Sequence, residues 1–170
     1  MNEHNIFKDV QELRMHADVF NEELIVTSGG FDPMHIGHLR CLQESAKICQ
    51  EQKYFKGKKI KFAVIVNSDG FLVRKKGKPF MPEAERIEII AGVRGVDYVV
   101  PWDDGSQTVV GAIAILKPVA FTKGGDRDAA ANVPEFDLCE EIGCKVIFGV
   151  GGGKIQSSSW LIESASNVDK

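Results

Sequence analysis

Residues 23–50, ELIVTSGGFDPMHIGHLRCLQESAKICQ, decide how the rest of this chain is organised. They open with three apolar residues at 24–26, which have the length and content of a buried strand. The strand runs into Gly29 and Gly30, which end it and allow the backbone to come close to a ligand. The stretch therefore predicts a strand that ends at a ligand-binding turn.

A helix is predicted to follow this turn. His35 and His38 stand at the expected N-terminus of the helix, where first-turn N–H groups lack intrahelical partners and the helix dipole favours negative charge. The local prediction is an anion site at a strand-to-helix turn. The apolar residues that recur at helical spacing are Leu39, Leu42, Ala46 and Cys49.

The composition is that of an ordinary soluble domain. The chain has 170 residues, enough for one domain, with 44% hydrophobic and 26% charged residues. Its net charge of −3 argues against a nucleic-acid partner that depends on a strong basic field, although a local basic patch survives that argument. No apolar run approaches the roughly 20 residues that span a bilayer, and the first residues lack the apolar region of a signal peptide. We therefore expect a cytoplasmic protein with no membrane or nucleic-acid partner and with reduced cysteines.

Predicted strands and helices alternate along the chain. This alternation predicts βαβ units in an α/β fold, namely a single Rossmann-like, doubly wound, mostly parallel sheet with helices on both faces. Residues 1–22 are predicted to be an N-terminal helical extension, 23–170 the domain itself, and 51–59 a polar, basic connection. Beyond the opening strand and helix, strands are predicted at 60–66, 98–100, 119–122 and 145–148, and helices at 5–20, 82–93, 109–116, 136–143 and 157–166.

Two further segments allow more than one interpretation. The basic run of Arg74, Lys75, Lys76 and Lys78 is either a solvated face or a functional segment. Residues 149–154, GVGGGK, match neither the spacing of a P-loop nor that of GxGxxG. They are predicted to be either a plain loop or a loop that closes over a nucleotide.

His35 and His38 admit three roles. A zinc site needs a third and usually a fourth ligand, and the other histidines, His4 and His16, lie in the leading segment. A second role is structural. The third role, which we favour, is phosphate binding, in which imidazole N–H donors beside a glycine-rich turn stabilise charge on phosphoryl oxygens.

The motif formed by Gly30-Phe31-Asp32-x-x-His35-x-Gly37-His38 resembles the signature of the cytidylyltransferase-like nucleotidyltransferase superfamily, which shares its HIGH element with class I aminoacyl-tRNA synthetases. Within it, the chain is most similar to the heptose 1-phosphate adenylyltransferase and glycerol-3-phosphate cytidylyltransferase group. The resemblance runs from residue 25 to about residue 162. Six further motifs follow in order: VNSD at 66–69, KG at 76–77, PEAER at 82–86, VDYVV at 96–100, KGGD at 123–126 and SSSxxI at 157–162.

The resemblance implies an enzyme in which the phosphate of an acceptor attacks the α-phosphorus of an NTP and pyrophosphate leaves. It implies that His35 and His38 contact the nucleotide phosphates and stabilise the transition state. Lys76 would neutralise the phosphates, and Arg86 would hold the β- and γ-phosphates. These four residues form the predicted catalytic set.

The resemblance also implies a nucleotide site and an acceptor site. Asp32 and Asp69 are assigned to the acceptor side, Asp32 alternatively orienting the loop. Mg²⁺ is expected as the cofactor, held through the phosphates and not by a side-chain cluster, and a homodimer is expected. The implied nucleotide-binding residues are Gly29, Gly30, Phe31, Asp32, Gly37, Lys123, Gly124, Gly125, Asp126, Ser157, Ser158 and Ser159.

The expected reaction joins an NTP, ATP slightly ahead of CTP, to a phosphorylated sugar or polyol. Residues 152–156, GGKIQ, replace the arginine-bearing RTEGIS element of the cytidylyltransferases, which weakens the case for CTP. One alternative is adenylyl transfer to a cofactor precursor such as phosphopantetheine or nicotinamide mononucleotide. Another is a non-catalytic nucleotide-binding protein.

Overall fold

The computed structural model describes residues 5–125 and 133–152. Its helices are α1 (Val10–Val19), α2 (Ile36–Gln52), α3 (Asp69–Lys76), α4 (Glu83–Ala91), α5 (Val110–Leu116) and α6 (Phe136–Ile142). Its strands are β1 (Glu22–Gly29), β2 (Tyr54–Phe55), β3 (Lys58–Asn67), β4 (Tyr98–Trp102), β5 (Ala120–Gly124) and β6 (Lys145–Val150).

The strands of the described residues form one sheet. Its order is β2-β3-β1-β5-β6, with β4 also paired to β3. The β2–β3 pairing is antiparallel, and every other pairing is parallel. Because the chain adds strands on one side of β1 and then on the other, the strand order reverses between β1 and β5. The predicted doubly wound, mostly parallel sheet is confirmed.

Helices cover both faces of this sheet. The side chains of β3 alternate between two apolar layers, as the pleat of a strand requires. Ala63 and Ile65 pack with α1, α5 and α6, whereas Phe62, Val64 and Val66 pack with α2 and α4. Burial on both faces explains why this strand reads as a continuous apolar run in the sequence.

The leading helix is shorter than predicted and belongs to the core. Its Leu13 and Ala17 side chains are fully buried in the layer shared with α5. The N–H of Phe7 donates to the carbonyl of Val99 at 2.9 Å, which fixes the segment before the helix to β4. The boundary predicted between residues 22 and 23 stays a prediction.

The prediction of a plain connection at 51–59 was wrong. Helix α2 continues to Gln52, and residues 54–67 form a β-hairpin with a turn at Lys56 and Gly57. Both turn residues have positive φ, 49° and 81°, as a two-residue hairpin turn requires. Lysine-rich strands lack the β-branched pattern that makes a strand visible in a sequence.

The basic run at 74–78 is helical over most of its length. Residues 69–76 form α3, and the Ser68 side chain caps it by accepting the N–H of Phe71 at 3.3 Å. The helix buries only Phe71 and Leu72, so it shows no helical period in the sequence. The structure thus places Arg74, Lys75 and Lys76 in the last turn of a helix, with Lys78 beyond its end.

The last two points concern the C-terminal helix and membrane-spanning segments. The C-terminal helix predicted at 157–166 lies outside the described residues. Within residues 5–125 and 133–152, no helix is long and apolar enough to cross a membrane.

Candidate active site

The candidate site lies at the carboxyl edge of the sheet, where the strand order reverses. Gly29 ends β1 and Gly124 ends β5, and these two strands are hydrogen-bonded neighbours. Open α/β sheets bind ligands at such a reversal, outside the carboxyl ends of the strands. Helix α2 begins here, seven residues after Gly29.

His35 and His38 form a reciprocal cap at the start of α2. The Nδ1 atom of His35 accepts the N–H of Gly37 at 3.0 Å and that of His38 at 3.4 Å. In return, Nδ1 of His38 accepts the N–H of His35 at 3.2 Å. The two rings stack with centroids 3.8 Å apart and planes 20° apart. The pair satisfies the first backbone donors of the helix as a capping box does.

This cap determines where the imidazole protons lie. Because each Nδ1 accepts a hydrogen bond, each neutral ring carries its proton on Nε2. Burial, and after it the neighbouring His35 ring, lowers the pKa of His38 to about 4. His38 is therefore neutral at pH 7, and its Nε2–H is a donor. The N–H groups of His35, Gly37 and His38 are bonded to the rings, so the anion predicted at this helix start would meet the Nε2–H of His38 instead.

Phe31 positions His38. Its side chain is 4% exposed, and its ring meets the His38 ring edge to face with centroids 5.1 Å apart. Its φ of 53° lies in the left-handed region, which is uncommon for an aromatic residue. A Cβ at Gly29 would lie 3.0 Å from Phe31 Cζ, so a larger residue there would displace the ring.

Asp32 anchors the segment that follows α3. Its carboxylate accepts the N–H groups of Phe80 and Met81, both at 2.6 Å. Lys76 Nζ lies 2.7 Å from Asp32 Oδ2 and donates to the Asp32 carbonyl at 3.0 Å. Asp32 is 2% exposed, so this is a buried carboxylate with both oxygens bonded.

The bonds at Asp32 set its charge and its role. Burial would raise the pKa of this carboxyl group, but the Lys76 ammonium and the two backbone donors outweigh burial and hold the pKa below its usual value. Asp32 therefore stays charged and fixes Lys76 beside the turn before α2. Of the roles considered for Asp32, the geometry favours orienting the loop.

Arg86 joins three segments at the centre of the site. Its side chain is fully buried in α4. It donates to the carbonyls of Met81 at 3.0 Å, Gly30 at 2.9 Å and Asn67 at 2.5 Å. Its Nη2 lies 2.8 Å from Asp69 Oδ1. The structure thus shows Arg86 holding the ends of β1 and β3 together, and its contact with nucleotide phosphates stays a prediction.

Sequence reasoning missed a second clamp on α3. Arg74 forms an ion pair with Asp103 and donates to the carbonyl of Ser106 at 3.1 Å. This hydrogen-bonded guanidinium lowers the pKa of Asp103 to about 2. The pair ties the last turn of α3 to the loop after β4. No local pattern links two residues so far apart in the sequence.

Two buried polar atoms at this edge find no hydrogen-bond partner among the described residues. They are Oδ1 of Asn67 and Nε1 of Trp102. The two residues are partners in the register of β3 and β4, so an acceptor and a donor lie side by side at the ends of neighbouring strands. Buried polar groups in native proteins almost always have a partner, and an exception often marks a functional site.

The end of β5 supplies the remaining described members of the predicted nucleotide set. Lys123 Nζ lies 5.1 Å from the centre of the Phe121 ring. A Cβ at Gly124 would lie 2.9 Å from Cys41 Sγ on α2, so only glycine allows this close approach. Gly125 follows with a φ of 67°. Asp126, Ser157, Ser158 and Ser159 lie outside the described residues.

A cleft opens between α2 and the end of β6. Its volume is about 540 Å³. Residues 149–152 form one wall of the cleft, and since Gly149 and Val150 end β6, the loop predicted from residue 149 begins at Gly151. The lining residues are Arg40, Gln43, Glu44, Ile48, Gly149, Val150, Gly151 and Gly152.

The described residues contain no group of three or more His, Cys, Asp or Glu side chains placed to hold a metal ion. Both oxygens of Asp32 are bonded to protein donors. Mg²⁺ held through the phosphates of a nucleotide stays a prediction.

The comparisons with known proteins decide the family. The family model described as cytidylyltransferase-like matches residues 26–156, well over half of the chain. The chain belongs to the cytidylyltransferase-like family. The resemblance drawn from its motifs is confirmed, and with it the class of enzyme, a nucleotidyltransferase.

Two curated proteins that this chain resembles are named bifunctional protein HldE. The bifunctional protein HldE of Photobacterium profundum is 32% identical over 78% of this chain and 29% of its own length. The HldE of Geobacter metallireducens is 33% identical over 74% of this chain and 23% of its own length. This chain therefore spans less than a third of these relatives.

Solved structures support the fold alone. The lipopolysaccharide core biosynthesis protein from Thermoplasma volcanium aligns with a TM-score of 0.54 at 23% identity, over 79% of this chain and 97% of that one. The pantoate-beta-alanine ligase from Francisella tularensis aligns with a TM-score of 0.53 at 12% identity, over 91% of this chain and 68% of that one. Both have the Rossmann-like architecture described above.

Proposed function

We propose that this cytidylyltransferase-like protein condenses an NTP with a phosphorylated sugar or polyol and releases pyrophosphate, with ATP preferred over CTP. The observation that carries the proposal is the imidazole pair at the start of α2. The two rings are stacked 3.8 Å apart, and each Nδ1 accepts a backbone N–H, so a neutral ring carries its proton on Nε2. Such preorganised donors stabilise charge that develops on phosphoryl oxygens.

The chemistry requires no covalent intermediate with the protein. An oxygen of the acceptor phosphate attacks the α-phosphorus in line, the bond from the α-phosphorus to the bridging oxygen breaks, and pyrophosphate leaves with that oxygen. His35 and His38 donate to the oxygens that gain charge. Lys76, held by Asp32, adds a positive charge beside them. Mg²⁺ carried by the nucleotide would supply further neutralisation of the triphosphate charge.

Asn67 and Trp102 support a polyhydroxylated acceptor. A sugar hydroxyl both donates and accepts, so it can satisfy the unpartnered Oδ1 of Asn67 and the unpartnered Nε1–H of Trp102. Asp69 lies two residues beyond Asn67 at the same edge. A hydroxylated acceptor also agrees with the similarity to the heptose and glycerol enzymes that the motifs indicate.

Pyrophosphate release tests this proposal. We would measure it with ATP, CTP, GTP and UTP, each with Mg²⁺ and with pools of sugar phosphates, polyol phosphates, phosphopantetheine and nicotinamide mononucleotide. The expected result is release with ATP and a sugar or polyol phosphate. Nucleotide binding without release in every combination would make the protein a non-catalytic nucleotide binder.

The acceptor assignment has its own test. Asn67→Ala should raise the KM for the acceptor by about 5-fold, since one hydrogen bond to a neutral group contributes about 1 kcal/mol. The KM for ATP should change little. A rise in the KM for ATP alone would place Asn67 on the nucleotide side and overturn this assignment.

A further inference from the structure

The β2–β3 hairpin lies at the edge of the sheet opposite the candidate active site and has an unusual composition. Residues 51–61, EQKYFKGKKIK, contain five lysines and one acidic residue in a chain whose net charge is −3. Most of this segment, residues 51–59, lies between the family motifs quoted above, none of which covers it. Because it is separate from those motifs and from the site, the nucleotidyl-transfer chemistry does not account for it.

Exposed apolar side chains share this edge with the lysines. Tyr54 is 59% exposed and Phe55 is 37% exposed. The register places Tyr54 opposite Lys59 and Lys59 opposite Glu22, the first residue of β1. The chain that enters β1 is the end of α1, whose Val19 and Phe20 are 72% and 63% exposed. We name these residues the amino-edge patch: Val19, Phe20, Lys53, Tyr54, Phe55, Lys56, Lys58 and Lys59.

The hairpin projects into solvent and its charges are largely uncompensated. A Cβ at the turn residue Gly57 would meet no described atom within 4 Å. Among the described residues, Lys58 is the one lysine of the patch with an ion pair, to Glu23 at 3.6 Å. Lys56 lies 5.4 Å from the centre of the Phe55 ring, so a cation sits directly on an exposed aromatic side chain.

We propose that the amino-edge patch docks this protein on the anionic surface of a lipid bilayer. Aromatic side chains partition into the headgroup region, and lysines next to them are attracted by acidic lipids while their stems cover apolar surface. The absence of a spanning helix among the described residues concerns insertion across a bilayer, not attachment to its surface. The proposal departs from the expectation of no membrane partner.

The geometry favours a bilayer over the other anionic or apolar occupants. Tyr54 and Phe55 are consecutive in a strand, so their side chains leave opposite faces of the hairpin and cannot stack successive bases of one nucleic-acid strand. A hairpin that enters the headgroup region tip first buries both faces. A second copy of this chain would bring like charges together across a two-fold axis.

Docking at this edge leaves the active site open. The patch lies at the amino ends of β1 and β3, whereas the histidines follow the carboxyl end of β1. A protein bound through the patch therefore presents its catalytic edge to the solution. Patch variants should retain pyrophosphate release. The docking proposal and the proposed function can therefore be tested independently of each other.

Vesicle sedimentation with the full chain tests the proposal. We expect binding to vesicles with about 30% phosphatidylserine at low ionic strength, little binding to pure phosphatidylcholine, and loss of binding as salt shortens the Debye length. Lys56→Ala/Lys59→Ala should weaken binding by about 30-fold, because each lysine near such a surface contributes about a factor of 5. Tyr54→Ser/Phe55→Ser should weaken it as well.

The matched control is Lys8→Ala/Lys47→Ala, which removes the same charge from two exposed lysines outside the patch. It should bind as the parent does, and circular dichroism should show that all variants are folded. The proposal would be overturned if the control and the patch variants lost vesicle binding equally, or if the parent did not sediment with anionic vesicles. Two other outcomes, each without vesicle binding, would overturn it too. One is binding to a single-stranded oligonucleotide that the patch variants abolish, and the other is self-association that they abolish.

Discussion

At the scale of single residues, the His38 side chain has a structural role at one ring nitrogen and a proposed catalytic role at the other. His38 Nδ1 accepts the N–H of His35, which supports the helix start, while Nε2–H is the proposed phosphate donor. His38→Ala should lower turnover by roughly 10²-fold or more, as expected when a preorganised donor is removed. His38→Asn, whose side-chain oxygen can still cap the helix, should be as stable as the parent and nearly as inactive as the alanine variant.

Normal turnover in both variants would remove the imidazole from the chemistry. Stopped assays of pyrophosphate release, with unfolding curves for each variant, distinguish loss of the donor from loss of the cap.

The lowered pKa of His38 predicts a dependence of stability on pH. The pKa is about 4 in the folded protein and 6.5 as a reference, so between these values the unfolded chain takes up a proton that the folded protein does not. His38 should therefore decrease the free energy of unfolding as pH falls from about 6.5 towards about 4. In urea titrations over this range, His38→Gln should show a weaker dependence on pH than the parent. Parallel curves would mean that His38 titrates normally.

Arg86 gives the sharpest contrast between a structural and a nucleotide-binding role. Arg86→Lys cannot reproduce four bonds to backbone and Asp69, so it should lower the free energy of unfolding by about 3 kcal/mol. Urea denaturation measures this loss. Unchanged stability together with a higher KM for ATP would instead support the phosphate contact that the resemblance implies.

The positions of His35, His38 and Arg86 in their helices could be predicted from the sequence, whereas their bonding partners could not. The GFDPMHIGH stretch carries enough information to place both histidines at a helix start. It carries none about the tautomer, which depends on backbone donors, or about the bonds between Arg86 and the ends of two strands. Those bonds join residues up to 56 positions apart, and only the folded chain brings them together.

At the scale of secondary-structure elements, α3 and the segment after it depend on one carboxylate. Asp32→Asn should release Lys76 and one of the N–H groups at Phe80 and Met81, because a neutral amide has a single acceptor oxygen. Limited trypsin digestion should then cleave faster near Lys76, as intact mass spectrometry would show. Asp104→Asn is the control, since the hydrogen bonds that the structure shows for Asp104 among the described residues lie within its own exposed loop.

Cleavage at the parent rate in the Asp32 variant would mean that the Arg74–Asp103 clamp holds α3 without help. That clamp and the Asp32 anchor attach the same helix to different strand ends, so a double variant with Arg74→Ala would reveal any redundancy.

Elements with a strong apolar pattern were predictable and those without one were not. The continuous apolar run of β3 and the Gly143 end of α6 match the sequence prediction. Helix α3 and strand β2 were missed because their exposed, basic residues follow no period. Their stability comes from Ser68, Arg74 and the pairing with β3, which are contacts outside a local sequence window.

At the scale of the whole molecule, the nucleotide should stabilise the fold because its site joins several elements. With Mg²⁺ and ATP at about 100 times the Kd, the gain is about 2.7 kcal/mol, equivalent to a rise in Tm of about 5–10 °C for a chain of this size. Thermal shift with each NTP ranks the bases, and ATP is expected to give the largest shift. No shift with any NTP would contradict the proposed function.

The architecture of the molecule was predictable because it follows from the order of strands and helices along the chain. Alternating strands and helices with right-handed crossovers lead to a doubly wound sheet, whose reversal point then marks the site. From the sequence, the β2–β3 hairpin could be recognised only as a positively charged segment. Nothing in the sequence shows that Phe20 and Tyr54 lie at the same edge of the sheet.

The unpartnered indole of Trp102 gives the molecule an optical reporter. The chain has two tryptophans, Trp102 and Trp160, so Trp160→Phe leaves a single emitter at the end of β4. A half-buried indole whose N–H gains a hydrogen bond emits at longer wavelength. An acceptor that bonds Trp102, as proposed, should therefore shift this emission to longer wavelength, and a titration would follow its binding without a label and without turnover.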